Sequence, residues 1–465
     1  MRTLVVAAAC LAACGDNLPP DKLPGDFLGQ LRALPGVHDA VEMPTQTAGF
    51  TYYVMHFEQP VDHEDPGGQT FLQEVSLLHR DTRAPMVVWT SGYWDYYLDR
   101  DVELTQLLNG NQISIEHRFF AGSRPDPADW SKLTIQQMAA DEHAIVTALR
   151  KLYDGAFITS GASKGGMTAI YYRRFYPDDV DGTVPYVAPI SFGAPDTRYT
   201  PFLDTLGTPT CRQAVRDAAT EMLANRRQAL LDRAQSQATV NNIQYNRVAI
   251  GPAVESAVVS LEWAFWQYYG VTYCDHVPAV TASDDTMFTF LDDISPPSDN
   301  ADDRIAEFDA YYYQAYFQLG YPDGGAAYLD PYVMYTDADY ANSLPTAQPA
   351  YDGGAAMADV DSFVQGMGDR LLFVYGEWDP WTGGEFSLGN AIDSLRLVQA
   401  KGTHGSKLTR LADADRDAAF ARLADWTGVT PMIPARTRST REVEPLPPRV
   451  PPALRAALRL RRGSP

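Results

Sequence analysis

The chain has 465 residues, 45% hydrophobic and 21% charged, which is more length than one structural unit usually needs and enough apolar content for a large core. Its formal net charge of −22 argues against nucleic acid or an anionic membrane surface as partner, since both would repel it. The same charge favours cationic ligands, among them the free amino terminus of a peptide.

The first fourteen residues read as a processing signal. Arg2 provides a positive start, Leu4 to Ala13 form a short apolar run, and Leu11-Ala12-Ala13-Cys14 resembles a bacterial lipobox ahead of the polar Gly15-Asp16-Asn17. A lipobox makes Cys14 the lipidated first residue of the mature chain and places it in the bacterial cell envelope, with the lipid as its only membrane attachment. An ordinary signal peptide, leading to secretion, is the alternative. A spanning helix needs about 20 apolar residues, more than this run provides. With Cys10 removed and Cys14 lipidated, Cys211 and Cys274 remain. In an exported protein such a pair most often forms a disulfide, the alternative being two buried thiols.

Residues 15–48, punctuated by Pro and Gly, read as a linker approaching the body. Phe50 to Phe57 and Thr70 to Leu78 are rich in aromatic and β-branched residues and read as strands. Pro85 to Thr90 and Gln112 to Glu116 read as buried strands. Thr134 is placed to cap a helix reaching Tyr153, with Ile135, Met138, Ile145, Leu149 and Leu152 on its apolar side. A strand at Ala156 to Thr159, a helix from Ser163 to Tyr176 and a strand at Thr183 to Val187 continue the alternation. That order indicates an α/β protein with a mostly parallel sheet covered on both faces. The alternation stops near Asp196, and residues 196–360 read as a helical insertion. Two helical stretches there run from Cys211 to Ala238 and from Ala253 to Tyr269. Strands resume at Arg370 to Tyr375 and Leu395 to Val398, and Asp413 is placed to cap a closing helix ending near Trp426. The layout is therefore a core of residues 49–195 and 361–430, a lid of 196–360, and a tail of 431–465. The tail carries eight Arg and two Glu among many Pro, a composition that cannot bury a core.

Gly161-Ala162-Ser163-Lys164-Gly165 matches G-x-S-x-G, with a strand feeding into it and a helix leaving it. This is the context of a nucleophile elbow, in which a tight turn lifts the serine above the carboxyl edge of the sheet. It makes Ser163 the candidate nucleophile and the Lys164 backbone N–H an oxyanion donor. A serine needs a base, and the base an orienting carboxylate, in the chain order Ser, Asp, His for this kind of sheet. Asp379 follows one late strand and His404 the next, and His404 alone among eight histidines lies after Asp379. Glu377 is the competing carboxylate. The loop Ser91-Gly92-Tyr93-Trp94 is expected to supply the second oxyanion donor, from the Tyr93 backbone N–H.

Several motifs now align with a known family. Phe57 to His63 (FEQPVDH), Leu77 to Arg80 (LLHR), Glu116 to Phe120 (EHRFF), Gly161 to Thr168 (GASKGGMT) and Trp378 to Trp381 (WDPW) resemble the bacterial secreted tripeptidyl aminopeptidases. The related prolyl carboxypeptidase and dipeptidyl peptidase family shares the Glu-His-Arg and Asp-Pro-Trp elements. The resemblance covers roughly residues 50 to 410. It implies an α/β-hydrolase fold with a helical lid, peptide substrates with a free amino terminus, and cleavage after proline; no cofactor or metal is implied.

Weaker features remain open. Glu116 is a candidate to receive the substrate ammonium or, alternatively, to form a structural ion pair with Arg118. Residues 284–309 hold nine acidic side chains against Arg304 alone. They read either as a bias toward cationic peptides, a Ca²⁺ site without EF-hand spacing, or a solvated loop. Tyr311, Tyr312, Tyr313, Tyr316 and Phe317 suit either a proline pocket or core packing. The alternatives in function are a lipase or esterase on the same fold, and a non-catalytic binding lipoprotein.

Overall fold

The computed structural model describes residues 25–433 except 96–98, 346 and 348. The signal segment with Cys14, and the tail beyond residue 433, lie outside the described residues. Nine strands form one sheet: β1 (Val37–Met43), β2 (Thr51–Pro60), β3 (Thr70–His79), β4 (Met86–Thr90), β5 (Asn111–Ile115), β6 (Phe157–Ala162), β7 (Gly182–Tyr186), β8 (Leu372–Gly376) and β9 (Leu395–Gln399). Their order is β1-β2-β3-β5-β4-β6-β7-β8-β9. The first three and β5 pair antiparallel; from β5 to β9 every pairing is parallel.

The central strands β4 to β8 are short and buried almost throughout because both faces are covered. Val88, Ile113 and Phe373 pack against the helices Ile135–Leu149, Lys164–Phe175 and Ala355–Met367. Val87, Trp89, Ile158 and Val374 point the other way, toward the helices Glu103–Leu108 and Asp413–Thr427. Consecutive residues thus feed opposite cores, as the two-residue strand period requires. Thr134 caps its helix as expected, its side chain accepting from the Gln137 N–H at 3.1 Å. Asp413 is instead the first helical residue, behind Ala412 as cap, where its charge still suits the helix dipole.

Two boundaries move. Residues 27–43, within the segment read as a linker, form a helix (Phe27–Arg32) and the edge strand β1. The Ala355–Met367 helix, which straddles the expected end of the lid at 360, belongs to the sheet's core through Met357, Val360, Phe363 and Val364.

The insertion has its own core. The helices Pro209–Asn225, Arg227–Asn241, Ile250–Val259, Leu261–Tyr268 and Asp284–Ile294 bury Val215, Met222, Leu230, Val258, Phe265 and Leu291 together. Cys211 and Cys274 are disulfide-bonded with Cα atoms 5.5 Å apart, tying the first of these helices to the 3₁₀ segment Gly270–His276. The acidic side chains of 284–309 stitch the lid together. Asp284 pairs with Arg226, Asp285 with Arg233 and Asp309 with Arg247, while Asp302 accepts the Asn246 and Arg247 N–H groups. Among the described residues no helix is long and apolar enough to cross a membrane.

Candidate active site

β6 runs into Ser163 and the Lys164–Phe175 helix starts at the next residue. Ser163 takes φ 56° and ψ −127°, an uncommon conformation for a residue with a side chain. Its N–H is held by the Tyr186 C=O at 2.9 Å. The flanking glycines make this turn possible. A Cβ on Gly161 would lie 2.4 Å from the Gly165 carbonyl carbon, and one on Gly165 would lie 2.3 Å from the Thr90 carbonyl oxygen. Ser163 remains half-buried while the residues after it are buried. Lys164, first in its helix, has a main-chain N–H with no acceptor inside the helix, so that donor is available at the turn.

Asp379 and His404 sit on the loops after β8 and β9, at the same carboxyl edge. His404 Nδ1 lies 2.7 Å from Asp379 Oδ2, and both side chains are fully buried. The other Asp379 oxygen accepts from the Trp381 N–H at 3.2 Å, so the carboxylate has a fixed orientation. His404 Nε2 is buried and has no partner among the described residues. The Trp381 ring lies 6.2 Å from the imidazole, and its indole N–H is likewise buried without a partner. Glu377, the competing carboxylate, accepts from the Lys401 N–H at 2.6 Å. The lid joins the site directly, because the Gln267 C=O accepts the His404 N–H at 2.9 Å.

The Tyr93 N–H, expected as second oxyanion donor, lies in the loop after β4 and reaches Ser91 Oγ at 3.2 Å. The Tyr93 C=O accepts from the His117 N–H at 2.8 Å. The Tyr93 ring joins Trp94, Phe119, Phe120, Phe308 and Tyr313 in a buried aromatic cluster, with Tyr311, Tyr312 and Phe317 packed against it. Tyr316 lies apart from that cluster and pairs with Tyr321 at 4.8 Å.

Glu116 does not pair with Arg118. It is 2% exposed, one oxygen accepting from the Gly122 and Ser123 N–H groups and the Ser123 hydroxyl at 2.9–3.0 Å, the other from the Asp95 N–H at 3.3 Å. These bonds tie the Glu116 carboxylate to the Gly122–Ser123 loop and to the Asp95 main chain. Arg118 pairs instead with Asp141, at 2.6 and 2.7 Å, and also donates to the Pro60, Val61 and Lys132 carbonyls. His63 reaches the same Asp141 at 2.7 Å. Asp141 is thus the residue that sequence reasoning missed: it joins the FEQPVDH and EHRFF motifs into one buried polar network.

A parallel sheet carrying a strained strand–turn–helix serine, with an Asp–His pair on the two following strand ends, defines an α/β-hydrolase built for acyl transfer. The PS-10 peptidase S37 family model matches residues 24–446, and the chain belongs to that family; it is a serine peptidase. It is 38% identical over 460 residues to the prolyl tri/tetrapeptidyl aminopeptidase of Streptomyces mobaraensis, covering 96% of this chain and 95% of that one. Similarity extends more thinly to lysosomal Pro-X carboxypeptidases. The mouse protein is 28% identical over 214 residues, 41% of each chain. The human protein is 28% identical over 189 residues, 34% of this chain and 36% of that one.

Proposed function

We propose that this peptidase releases tripeptide-sized fragments from the amino termini of peptides, cutting after proline, and that it works in the cell envelope on a lipid attached at Cys14. The observation that carries the substrate reading is the 38% identity, over nearly the whole chain, to a prolyl tri/tetrapeptidyl aminopeptidase. Ser163 is the nucleophile. His404 Nε2 takes the hydroxyl proton as Oγ attacks the carbonyl carbon, and Asp379 holds the imidazole and stabilises its charged form. The Lys164 and Tyr93 N–H groups receive the developing oxyanion, the Tyr93 N–H being shared between it and the long 3.2 Å contact to Ser91 Oγ. Collapse of the tetrahedral adduct breaks the C–N bond, and His404 gives its proton to the leaving amine. Water, activated by the same imidazole, then hydrolyses the acyl-enzyme.

The aromatic cluster around Tyr93, Phe308 and Tyr311 supplies a wall for the proline ring. The substrate ammonium is received by a carboxylate beside the site, Glu116 or an acid of the lid. A fluorophosphonate probe and Ala-Ala-Pro-anilide test the reading together. Ser163 should be the labelled residue and the free anilide should be hydrolysed; an unlabelled, inactive wild-type protein would overturn it. For the anchor, the mature protein should begin at a diacylated Cys14, and Cys14→Ser should lose membrane partition. An unmodified Cys14 in membrane-purified protein would remove that part.

A further inference from the structure

Lys164 is more than the variable residue of the elbow. Its side chain is 2% exposed, and Nζ donates to the Gly92 C=O while lying 5.3 Å from the Tyr93 ring centre and 5.2 Å from that of Phe120. Among the described residues no carboxylate forms an ion pair with it. Burial drives its pKa well below that of an ordinary lysine, against the opposing pull of the Glu142 charge. Burying an amine for one carbonyl and two ring faces is a poor way to fill space, since a methionine would occupy the volume without the desolvation cost.

The carbonyl that it grips explains the choice. The Gly92 C=O and the Tyr93 N–H belong to one planar peptide and point to opposite sides of it. Fixing the oxygen therefore fixes the direction of the N–H. The contact is also close at the main-chain level. Gly92 has φ +72°, and a Cβ there would lie 2.6 Å from the Gly165 N, so the loop after β4 rests directly on the elbow. Thr90 Oγ1 adds a bond to the Gly165 C=O at 2.6 Å.

We propose that Lys164 is a positioning residue for the reaction, its side chain setting the Gly92–Tyr93 peptide so that the Tyr93 and Lys164 N–H groups form one oxyanion site. The proposal rests on Tyr93 being the second donor, as read above. One residue then supplies a donor through its main chain and aligns the other through its side chain.

The test compares Lys164→Met, which keeps bulk without a donor, with Lys164→Gln, which keeps a neutral donor. kcat, KM and thermal midpoint are measured with Ala-Ala-Pro-anilide, together with inhibition by the matching peptide aldehyde, whose adduct mimics the tetrahedral state. Lys164→Met should lose roughly 30- to 300-fold in kcat with KM within about threefold, and aldehyde affinity should fall by a similar factor. Lys164→Gln should recover about tenfold of this at an equal melting temperature. A kcat within about threefold of wild type for the Met variant, a loss confined to KM, or no recovery in Gln would each overturn the proposal. If neither variant folds, the lysine is holding the fold and the proposal is also overturned. Should wild type cleave p-nitrophenyl butyrate but no anilide, the substrate reading fails alone, and the same comparison on the ester decides the role of Lys164. A wild type inactive on both substrates removes the two together.

Discussion

At the scale of single residues, the site invests backbone strain where the chemistry is expected. Ser163 is held at φ 56° by a turn whose neighbours leave no room for relaxation, a conformation costing about 1–3 kcal/mol. Ser163→Ala should therefore fold with the wild-type melting temperature and lose turnover by about 10⁴-fold or more, while Ser163→Gly should be as inactive yet melt no lower, because glycine tolerates this φ. His404→Ala should match the loss, and Asp379→Asn should cost about 10⁴-fold in kcat, since the amide no longer fixes the imidazole tautomer. Steady-state kinetics beside calorimetry checks all four, and substantial activity in Ser163→Ala would remove the mechanism. Acidity should act at a different residue. His79 stacks on Phe27 with ring centres 3.8 Å apart and bonds to the Tyr153 hydroxyl at 2.9 Å, and burial lowers its pKa to about 4. Between pH 6.5 and about 4 the unfolded chain binds a proton there that the folded chain refuses, so stability falls as pH drops through that window. Denaturation of His79→Gln across this range should show a shallower pH slope than wild type; an unchanged slope would locate the acid sensitivity elsewhere.

At the scale of elements, the lid and the histidine loop are mechanically joined. The disulfide encloses a separation of 63 residues, and Cys274 lies four residues beyond Gly270, where a Cβ would already meet the Thr403 methyl carbon at 2.8 Å. Closing a loop of that length is worth ~4 kcal/mol on a chain-entropy estimate. Replacing both cysteines by serine should destabilise the lid by about that amount. Because the Gln267 C=O holds the His404 N–H, kcat should fall at denaturant concentrations where the sheet's own signal is intact. Coincident loss of activity and sheet signal would mean that the two parts unfold as one. The same elements show what a sequence discloses. Strands β4 and β8 were legible because burial on both faces leaves apolar runs, and the order Ser163, Asp379, His404 could be proposed because one histidine follows Asp379. The edge strand β1 was not: of Val37–Met43 only Ala40 is buried, so no alternation marks it, and its pairing with β2 decides its form. Nor could spacing assign Glu116, whose partners come from a loop that folds back at Gly122 and Ser123. The lid's acids read as an isolated run, yet their arginines sit more than 50 residues earlier, out of reach of any local pattern.

At the scale of the whole molecule, the net charge of −22 and a lid that reaches the histidine loop both bear on the proposed selection of the substrate's amino end. The charge attracts cationic peptides at long range, and salt screens that attraction within about 10 Å at 0.1 M. On the proposed reading the lid limits how much peptide extends beyond the acyl site and surrounds the ammonium with a medium poorer in water. On that reading, pairing there with a carboxylate is a charge-assisted contact worth about 2–4 kcal/mol, because removing one partner leaves the other buried and unpaired. Acetylating the amino terminus of Ala-Ala-Pro-anilide should accordingly lower kcat/KM by roughly 30- to 1000-fold. The free peptide should lose affinity as salt rises, whereas the acetylated one should respond little. On the proposed reading proline's fixed ring enters an aromatic wall with little ordering cost, so Ala-Ala-Pro-anilide should also exceed Ala-Ala-Lys-anilide. Equal rates for free and acetylated peptide, with p-nitrophenyl butyrate turned over far faster than either, would replace the exopeptidase by an esterase on the same scaffold.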